Sequence, residues 1–452
     1  MIPLNARALD KKITGEIYAS DTAFQHLLYL CDVCGHRFTG SAGEMRAATY
    51  VAEQMRQYGL ANVRMEDVPL RAWKRGEAQL RVLAPRPMQI ECLALPYSPV
   101  AAVEADLLDL GPAVPEMIDA RREEIAGKVV LVSSANPPMY PRPVHRMEKY
   151  ARLVKAGAVG FIFAGDEPGQ LPQTGSLPEH APIPAVGISQ ESGAMLSRLA
   201  RDSVEPMRVN LAVDGTTIET TSHNVIGELP GQQDAPVVVL GAHLDSHDIA
   251  PGANDNASGV VAVLEAARAL AEIGPLPLPV RFILFTGEEL GLLGAYHHVR
   301  AHADALPSIR FVLNLDSVAG PGKLAAILQG WPELLPRFKA WGRQVLPECT
   351  VLDRLVPYSD HFPFTVEGIP AAMVATWGGG GGRGWGHTAA DTVDKVSILS
   401  LQTAAAFAAR MALRIAADEE PWPAHRSRQE MQTLFEREGL KEVMSIEGRW
   451  PF

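Results

Sequence analysis

After about residue 221 the sequence alternates short apolar segments with longer stretches of helical periodicity, and this alternation restricts the possible folds more than any other feature. The apolar segments have the length of strands: NVIGEL, VVVLGAH, RFILFTGEE, FVLNLD and PAAMVAT. Helical stretches such as SGVVAVLEAARALAEI and LLGAYHHVRAHADAL lie between several of them. Strands that alternate with helices form a largely parallel sheet covered on both faces. We therefore predict an α/β fold for this part.

The chain before residue 221 has a different pattern. Residues 21–59 show helical periodicity, and residues 61–82 alternate apolar and polar side chains as strands do. From about 100 to 216, turns and proline-rich pieces separate three apolar runs: GKVVLVS, VGFIFAG and IPAVGIS. These runs indicate strands, and no dense set of acid, base or metal-binding residues accompanies them. We predict a separate small lid or binding domain there.

Composition excludes several classes of protein. The 41 basic and 52 acidic side chains give a net charge of −11, which favours neither a nucleic acid nor an anionic membrane as partner. The chain has four cysteines: Cys31, Cys34, Cys92 and Cys349. The CxxC formed by the first two has no second pair at zinc-finger spacing, so we expect buried thiols. The N-terminus lacks the pattern of a secretory signal, and two arginines interrupt the apolar stretch 404–417, so we expect a cytoplasmic protein.

Histidines and carboxylates collect at the ends of the predicted strands. They are His243, Asp245, Glu288, Glu289, Asp316 and His387, together with Asp255 in the turn GANDNASG. Each alone is more often a cap, a turn former or a structural residue. However, ligands bind outside the carboxyl ends of parallel strands, and all of these residues fall on that edge. Two imidazoles and several carboxylates there predict two zinc-like ions about 3.5–4 Å apart, bridged by one carboxylate.

Four segments resemble, in order, the ligand motifs of the co-catalytic zinc exopeptidases, a family that includes bacterial leucyl aminopeptidases, glutamate carboxypeptidases and glutaminyl cyclases. The segments are GAHLDSHDIAPGANDNASG, TGEELGLLGAYH, NLDSVAG and GHTAADTVD. The residues around 100–216 look like the protease-associated (PA) domain that several members carry as an insert. Three further segments look closest to the plasma glutamate carboxypeptidases: GHRFTGSAGEMRAATYVAEQMRQYGL, WKRGEAQL and SDHFPF.

The resemblance implies a domain organisation and a fold. Residues 1–99 and 221–420 would form the peptidase domain, 100–220 the β-rich PA insert and 421–452 a C-terminal tail. The peptidase domain would be a three-layer sandwich with a mostly parallel mixed central sheet. In the tail, apolar residues at helical spacing indicate either a helix docked on this chain or a contact in a homodimer.

The resemblance also implies a role for each site residue and two Zn²⁺ ions per chain. Asp255 would bridge the two ions, with His243 and Asp316 at one ion. Glu289 and His387 would complete the other site. Glu288 would be the general base, and Asp245 would support the imidazole of His243.

Two assignments stay open at this point. Many relatives have a tyrosine before the last ligand histidine, whereas Gly386 stands there in this chain. His361, with Tyr358 behind it, is therefore our candidate for stabilising the oxyanion, although either residue could only pack. His247 lies four residues after His243, but the loop that begins at Asp248 argues against a helix, so we expect no metal ligation by His247.

The expected activity is hydrolysis of short peptides or dipeptides that have a free N-terminus. An ammonium group needs carboxylates, whereas a carboxylate needs a cationic clamp. Acidic residues, Asp360 among them, outnumber Arg354 and Arg383 in the loops near the site. The alternatives are a catalytically silent receptor-like module and a one-zinc glutaminyl cyclase. Both are disfavoured, the first by the complete ligand set and the second by the insert.

Overall fold

The computed structural model describes residues 4–378 and 384–452. Its fourteen strands are β1 (Ala61–Ala84), β2 (Met88–Ile90), β3 (Leu93–Ala94), β4 (Ala101–Asp109), β5 (Val129–Ser133), β6 (Gly160–Ala164), β7 (Ala185–Ile188), β8 (Arg208–Leu229), β9 (Val237–His243), β10 (Val280–Phe285), β11 (Ile309–Leu315), β12 (Gly322–Leu328), β13 (Thr350–Asp353) and β14 (Ala371–Gly378).

The α-helices are α1 (Leu4–Tyr18), α2 (Thr22–Leu28), α3 (Ala42–Gln57), α4 (Pro115–Ala120), α5 (Arg122–Ile125), α6 (Arg146–Lys155), α7 (Gln190–Asp202), α8 (Ser258–Ile273), α9 (Leu293–Ala301), α10 (Leu335–Val345), α11 (His361–Val366), α12 (Ile398–Ala417), α13 (Arg428–Arg437) and α14 (Leu440–Ile446). Short π or 3₁₀ turns are Tyr29–Val33, Ala253–Ala257, Ala303–Ser308, Pro332–Leu334 and Val393–Lys395.

The central sheet of the peptidase part has the strand order β13-β12-β14-β11-β9-β10-β8. The pairs β14/β11, β11/β9, β9/β10 and β12/β13 are parallel, whereas β12/β14 and β10/β8 are antiparallel. Alternate residues of β9 point to opposite faces: Val238 packs in one buried cluster and Val239 in another. Helices cover both clusters, so the predicted three-layer α/β sandwich with a mostly parallel mixed sheet is confirmed.

A long antiparallel ribbon connects the peptidase part with the insert. Strand β1 pairs with β8 from Ala61 opposite Glu228 to Ala84 opposite Arg208, with three irregularities in register. One end of β8 also pairs with β10 and the other end with β4. Beyond β4 the parallel strands β5, β6 and β7 continue the insert. Strand β8 therefore passes through position 220, where we predicted a domain boundary, without a break.

The strands of NVIGEL, VVVLGAH, RFILF, FVLNL and PAAMVAT form as predicted, because each run of apolar residues is buried. Strands β12 and β13 were missed. Strand β12 begins with the exposed Gly322 and Lys323, and β13 is a four-residue edge strand with no buried residue. The four residues of β13 have no period or length that distinguishes them from a loop. The apolar run LAAIL at the end of β12 does have the length of a buried strand, and that signal was overlooked.

Helix α12 has the length and apolar composition of a membrane span, and 72% of its most apolar window is buried inside this structure. It packs along α8 and α1, as expected for a core helix. Cys31 and Cys34 are buried free thiols in the same cluster, in agreement with the prediction.

The C-terminal tail docks on its own chain. Met431, Leu434 and Phe435 of α13 are buried against Leu355 and Phe362. Of the two alternatives left open by the sequence, the structure therefore supports the docked helix for these three side chains.

A buried ion pair fixes α1 to α12. Asp10 accepts two hydrogen bonds from Arg414, at 2.9 and 2.6 Å, and two from Arg410, at 3.2 and 3.3 Å. Burial of Asp10 opposes its ionisation, but the two arginines hold its pKa below the ordinary 3.8. Because the pKa of Asp10 is lowered in the folded state, the ion pair stabilises the fold fully at pH values above 3.8. This stabilisation is lost as the pH falls through the pKa that Asp10 has in the folded state.

We expect Asp10→Ala to lower the free energy of unfolding by about 3 kcal/mol, since it leaves Arg414 buried without its carboxylate. Urea denaturation at neutral pH measures the change. Asp32→Ala, at an exposed position, is the control and should stay within about 0.5 kcal/mol of the original protein. An equal effect of the two substitutions would contradict a stabilising role for the pair.

Candidate metal centre and active site

All five predicted metal ligands meet at the carboxyl edge of the sheet. His243 is the last residue of β9, Asp316 follows β11, and Glu289 follows β10. Asp255 lies in the turn that precedes α8. Gly252, at the start of this turn, has a φ of +59°. A Cβ at Gly252 would lie 2.4 Å from the carbonyl oxygen of Asp255, so this turn requires glycine. The parallel strands thus place distant residues side by side.

The ligand atoms form two groups that share Asp255. In the first group, His243 Nε2 lies 3.3 Å from Asp255 Oδ1 and 3.6 Å from Asp316 Oδ1. In the second, His387 Nε2 lies 3.3 Å from Asp255 Oδ2 and 3.3 Å from Glu289 Oε2. The two oxygens of Asp255 therefore face different groups, which is the arrangement that a bridging carboxylate needs.

The donor set fits a pair of zinc-like cations. All five side chains are buried, and Glu289 Oε1 has no hydrogen-bond partner among the described residues. Buried carboxylates that face one another without a cation are strongly unfavourable. Imidazole nitrogens and carboxylate oxygens are the ligands zinc takes in catalytic sites. Two sets of donors that share one carboxylate match the predicted two-cation centre.

Both predicted ligand histidines present the same nitrogen to the centre. His243 Nδ1 donates to the backbone carbonyl of Asp245 at 3.1 Å. His387 Nδ1 donates to the backbone carbonyl of Thr174 at 3.3 Å. A carbonyl oxygen only accepts, so each ring carries its proton on Nδ1 and leaves the lone pair of Nε2 for a cation.

Asp245 acts mainly on the turn that carries Glu288 and Glu289. Its carboxylate accepts hydrogen bonds from the backbone N–H groups of these two residues at 3.1 and 3.2 Å, and from the hydroxyl of Thr39 at 2.9 Å. Its Oδ1 lies 3.5 Å from His243 Nδ1, farther than its own carbonyl oxygen. The predicted support of His243 therefore comes chiefly from the backbone of Asp245.

Glu288, the predicted general base, is partly buried beside the two ligand groups. Desolvation raises its pKa well above the ordinary value. The charge of His243 opposes this rise, whereas Glu289 and Asp316 increase it. Its backbone N–H is fixed by Asp245, so the position of Glu288 is set by the same carboxylate that positions the ligand Glu289.

The sequence analysis missed two residues that build this edge. Asp391 accepts hydrogen bonds from the backbone N–H of Asn254 at 2.8 Å and of Asp255 at 3.0 Å. Arg37 is fully buried, and its Nε donates to the carbonyl of Leu244 at 2.8 Å. Asp391 belongs to the motif GHTAADTVD that we matched to the family. The motif did not indicate that its carboxylate would bind the backbone of the turn that carries Asp255.

The insert takes part in the centre through Thr174. Besides the Nδ1 contact, the backbone N–H of Thr174 donates to the carbonyl of His387 at 2.9 Å. His387 itself has a φ of +62°. The insert thus holds both the ring and the backbone of one predicted ligand, a contact that no local sequence pattern indicated.

The two candidates for stabilising the oxyanion have different positions. His361 is fully buried, its Nε2 donates to the carbonyl of Val356 at 3.0 Å, and burial lowers its pKa to about 4. Tyr358 lines the cavity beside His387, and its hydroxyl donates to Glu447 at 3.1 Å. This placement favours Tyr358 over His361 for contact with substrate.

A cavity of about 400 Å³ opens beside His387, between the insert, the peptidase part and the C-terminal tail. The insert contributes Arg142 and Arg146 to its wall, and the peptidase part contributes Arg354. A narrower pocket lined by Tyr358 and Arg146 reaches Glu288. Arginines of the insert were not among the predicted substrate contacts.

Asp360, one of the residues named for substrate binding, does not line this cavity. Asp360 is fully buried, and its pKa is raised well above the ordinary value. Burial is the main cause of the raised pKa, and the nearby carboxylates of Asp245 and Asp316 raise it further. It therefore lies beneath the centre rather than in a substrate pocket. Arg383 lies outside the described residues.

His247 also differs from expectation. The loop after β9 is not helical, as predicted, but it still brings His247 to the second ligand group, where Nε2 lies 2.9 Å from Glu289 Oε2. The non-helical loop, from which we argued against metal ligation by His247, therefore does not keep the side chain from the second ligand group.

Comparison with known proteins agrees with this geometry. Residues 224–412 match Peptidase family M28, and residues 98–196 match the PA domain. The resemblance predicted from the motifs is confirmed.

Two curated relatives are similar over part of the chain. Probable leucine aminopeptidase 2 of Aspergillus oryzae is 30% identical over 302 residues, which cover 65% of this chain and 57% of that protein. Carboxypeptidase Q of Homo sapiens is 28% identical over 313 residues, 66% of this chain and 65% of that protein. The chain therefore spans less than two thirds of either relative.

A solved structure is similar over nearly the whole chain. It is a zinc aminopeptidase from Bacillus subtilis, with 26% sequence identity and a TM-score of 0.66. The similarity covers 90% of this chain and 97% of that chain.

We expect Asp391→Ala to reduce the zinc retained after dialysis, with an affinity loss of about 10–100-fold, because it frees the backbone turn that presents Asp255. Metal analysis of the dialysed protein gives the result. Asp394→Ala is a matched control, since Asp394 is exposed and contacts only Lys395 and Thr392 among the described residues. Equal zinc retention in both variants would argue against this role.

Proposed function

We propose that this chain, whose residues 224–412 belong to peptidase family M28, is a zinc-dependent exopeptidase that hydrolyses short peptides with a free N-terminus, dipeptides included. The observation that supports this most directly is the convergence of five donors near Glu288, which shares a pocket with two of them. The donors are His243, Asp255, Asp316, Glu289 and His387. The name of the solved relative, a zinc aminopeptidase, supports both the metal and the reaction class.

Two zinc ions would be held by the two ligand groups, with Asp255 between them. When bound, such a pair of ions polarises a carbonyl group and makes water more acidic near neutral pH. Neither alternative function is favoured. A silent receptor-like module has no need of a complete ligand set, and a one-zinc cyclase has no need of a second group of donors.

Glu288 is the residue placed to move protons. It accepts the proton of the attacking water and passes it to the leaving amine, so that the amine departs in neutral form. Its backbone N–H is fixed through Asp245, which holds the residue at the edge of the site during both transfers. Tyr358 lines both cavities, and its hydroxyl, which donates to Glu447 in this structure, would have to turn from that carboxylate to donate a hydrogen bond to the developing oxyanion.

The distribution of charge supports recognition of the substrate's amine near the centre. Glu288 and Glu289 line the inner pocket, whereas Arg354 lies on the outer wall of the cavity and is exposed. The substrate's amine would be stabilised by hydrogen bonds to carboxylate oxygens at this end that do not bind the cations. A dipeptide would then direct its carboxylate away from them, towards the arginines.

The other partner assignments rest on composition and stay predictions. The net charge of −11 supports the absence of nucleic-acid and anionic membrane partners. A cytoplasmic location and a homodimer remain predictions from the sequence.

We expect Glu288→Gln to retain its zinc and to slow turnover by about a hundredfold or more, because the amide cannot accept the proton. Steady-state kinetics and metal analysis on one preparation test this. Glu272→Gln, at an exposed position on α8, controls for the loss of one carboxylate. Full activity of a zinc-replete Glu288→Gln variant would refute the base assignment.

The direction of cleavage is tested with three substrates: a dipeptide, its N-acetylated form and its C-amidated form. We expect acetylation to reduce kcat/KM more than amidation does, since acetylation removes the ammonium charge that the inner carboxylates bind. Faster hydrolysis of the acetylated peptide than of the amidated one would show that the carboxylate is the terminus recognised, and would implicate Arg354.

A further inference from the structure

His247 lies in the second ligand group although it belongs to none of the matched ligand positions. It is only 4% exposed and sits in the irregular loop that follows β9. Its Nε2 is 2.9 Å from Glu289 Oε2. Its ring is 4.4 Å from that of His387 and nearly perpendicular to it, at 81°. One ligand atom from each of these three side chains lies within 4.8 Å of the other two.

A packing role does not account for this side chain. The ring of Phe38 is its stacked neighbour at 6.1 Å, and an apolar ring would serve that contact equally well. Both nitrogens of His247 are buried: Nδ1 has no hydrogen-bond partner among the described residues, and the one polar side-chain atom facing Nε2 is Glu289 Oε2, a member of the second ligand group. A buried polar atom without a partner costs about 1–3 kcal/mol. A cation shared by Nε2 and Glu289 would supply the partner for the lone pair of Nε2.

We propose that His247, through Nε2, is an additional ligand of the cation held by Glu289 and His387. This inference rests on the proposed function. With Asp255 included, that cation has four protein ligands, whereas the cation at His243 and Asp316 has three.

The two cation sites are therefore unequal. Four protein ligands complete the tetrahedral coordination that zinc adopts in closed structural sites, whereas three leave a position open. The cation at Glu289 is held more tightly, and the cation beside His243 and Asp316 is the one with room for a substrate atom. One cation is thus the more firmly retained, and the other is the one that contacts the substrate.

The test compares wild type with His247→Phe, which keeps an aromatic ring beside Phe38 but has no nitrogen. His297→Phe, on α9 and outside both ligand groups, is the matched control. Each zinc-loaded protein is analysed by X-ray absorption for imidazole ligands, and the affinity for both ions is measured by competition with a chelator. Circular dichroism and the melting temperature verify the fold.

We expect three imidazoles over two zinc ions in wild type and in the control, but two in His247→Phe. The affinity for the more tightly bound ion should fall at least about tenfold in His247→Phe. His247→Gln, which can form hydrogen bonds but is a poor zinc ligand, should behave like His247→Phe.

An unchanged imidazole count and affinity in His247→Phe would overturn the inference and leave the proposed function intact. Wild-type affinity in His247→Gln alone would also overturn it, since hydrogen bonding would then suffice. A wild-type protein that binds no zinc would overturn both the inference and the proposed function.

Discussion

Buried negative charge at the carboxyl edge of the sheet is the constraint on which the rest of this structure depends. Asp255, Asp316 and Glu289 are buried within one cluster, and Asp245, Asp360 and Asp391 lie buried around it. In a medium of low dielectric such carboxylates are tolerated only if cations or hydrogen-bond donors compensate them. Backbone N–H groups compensate Asp245 and Asp391. The oxygens that remain face imidazoles across spaces suited to a divalent ion, so the same charges that oppose folding of this edge create its affinity for metal.

The centre is assembled from elements that are distant in the chain. Strand ends supply His243 and Asp316, a glycine-dependent turn supplies Asp255, and the loop after β14 supplies His387. Thr174 of the insert fixes the protonated nitrogen of His387, and Asp391 fixes the backbone of Asp255. The insert therefore contributes to the geometry of the metal centre as well as to the wall of the substrate cavity. A description of the peptidase part alone would omit one of the groups that orient its ligands.

The sequence predicted those features that depend on local periodicity or on motif residues. Strand β9 could be predicted because every one of its residues is buried, and its end could be assigned to the site because parallel strands share an edge. Strand β13 could not, because four partly exposed edge residues leave no periodic pattern. Asp360 was placed in the substrate pocket because the sequence shows a charge but not its burial. Thr174 acts through its backbone, which any residue could supply, and His247 reaches the centre through an irregular loop whose path has no sequence pattern. Contacts of these two kinds become visible only in three dimensions.

The ribbon of β1 and β8 has a consequence for the selection of substrates. Its hydrogen-bonded ladder extends from the sheet that carries the metal centre into the insert that faces it, without an intervening flexible linker. The width of the gap between the two parts is therefore fixed by the twist and bulges of a continuous pair of strands. A gap of fixed width selects molecules by their size, independently of which side chains a peptide carries. Any limit on the size of the substrate would in that sense be a property of backbone geometry, set at a distance from the residues of the metal centre.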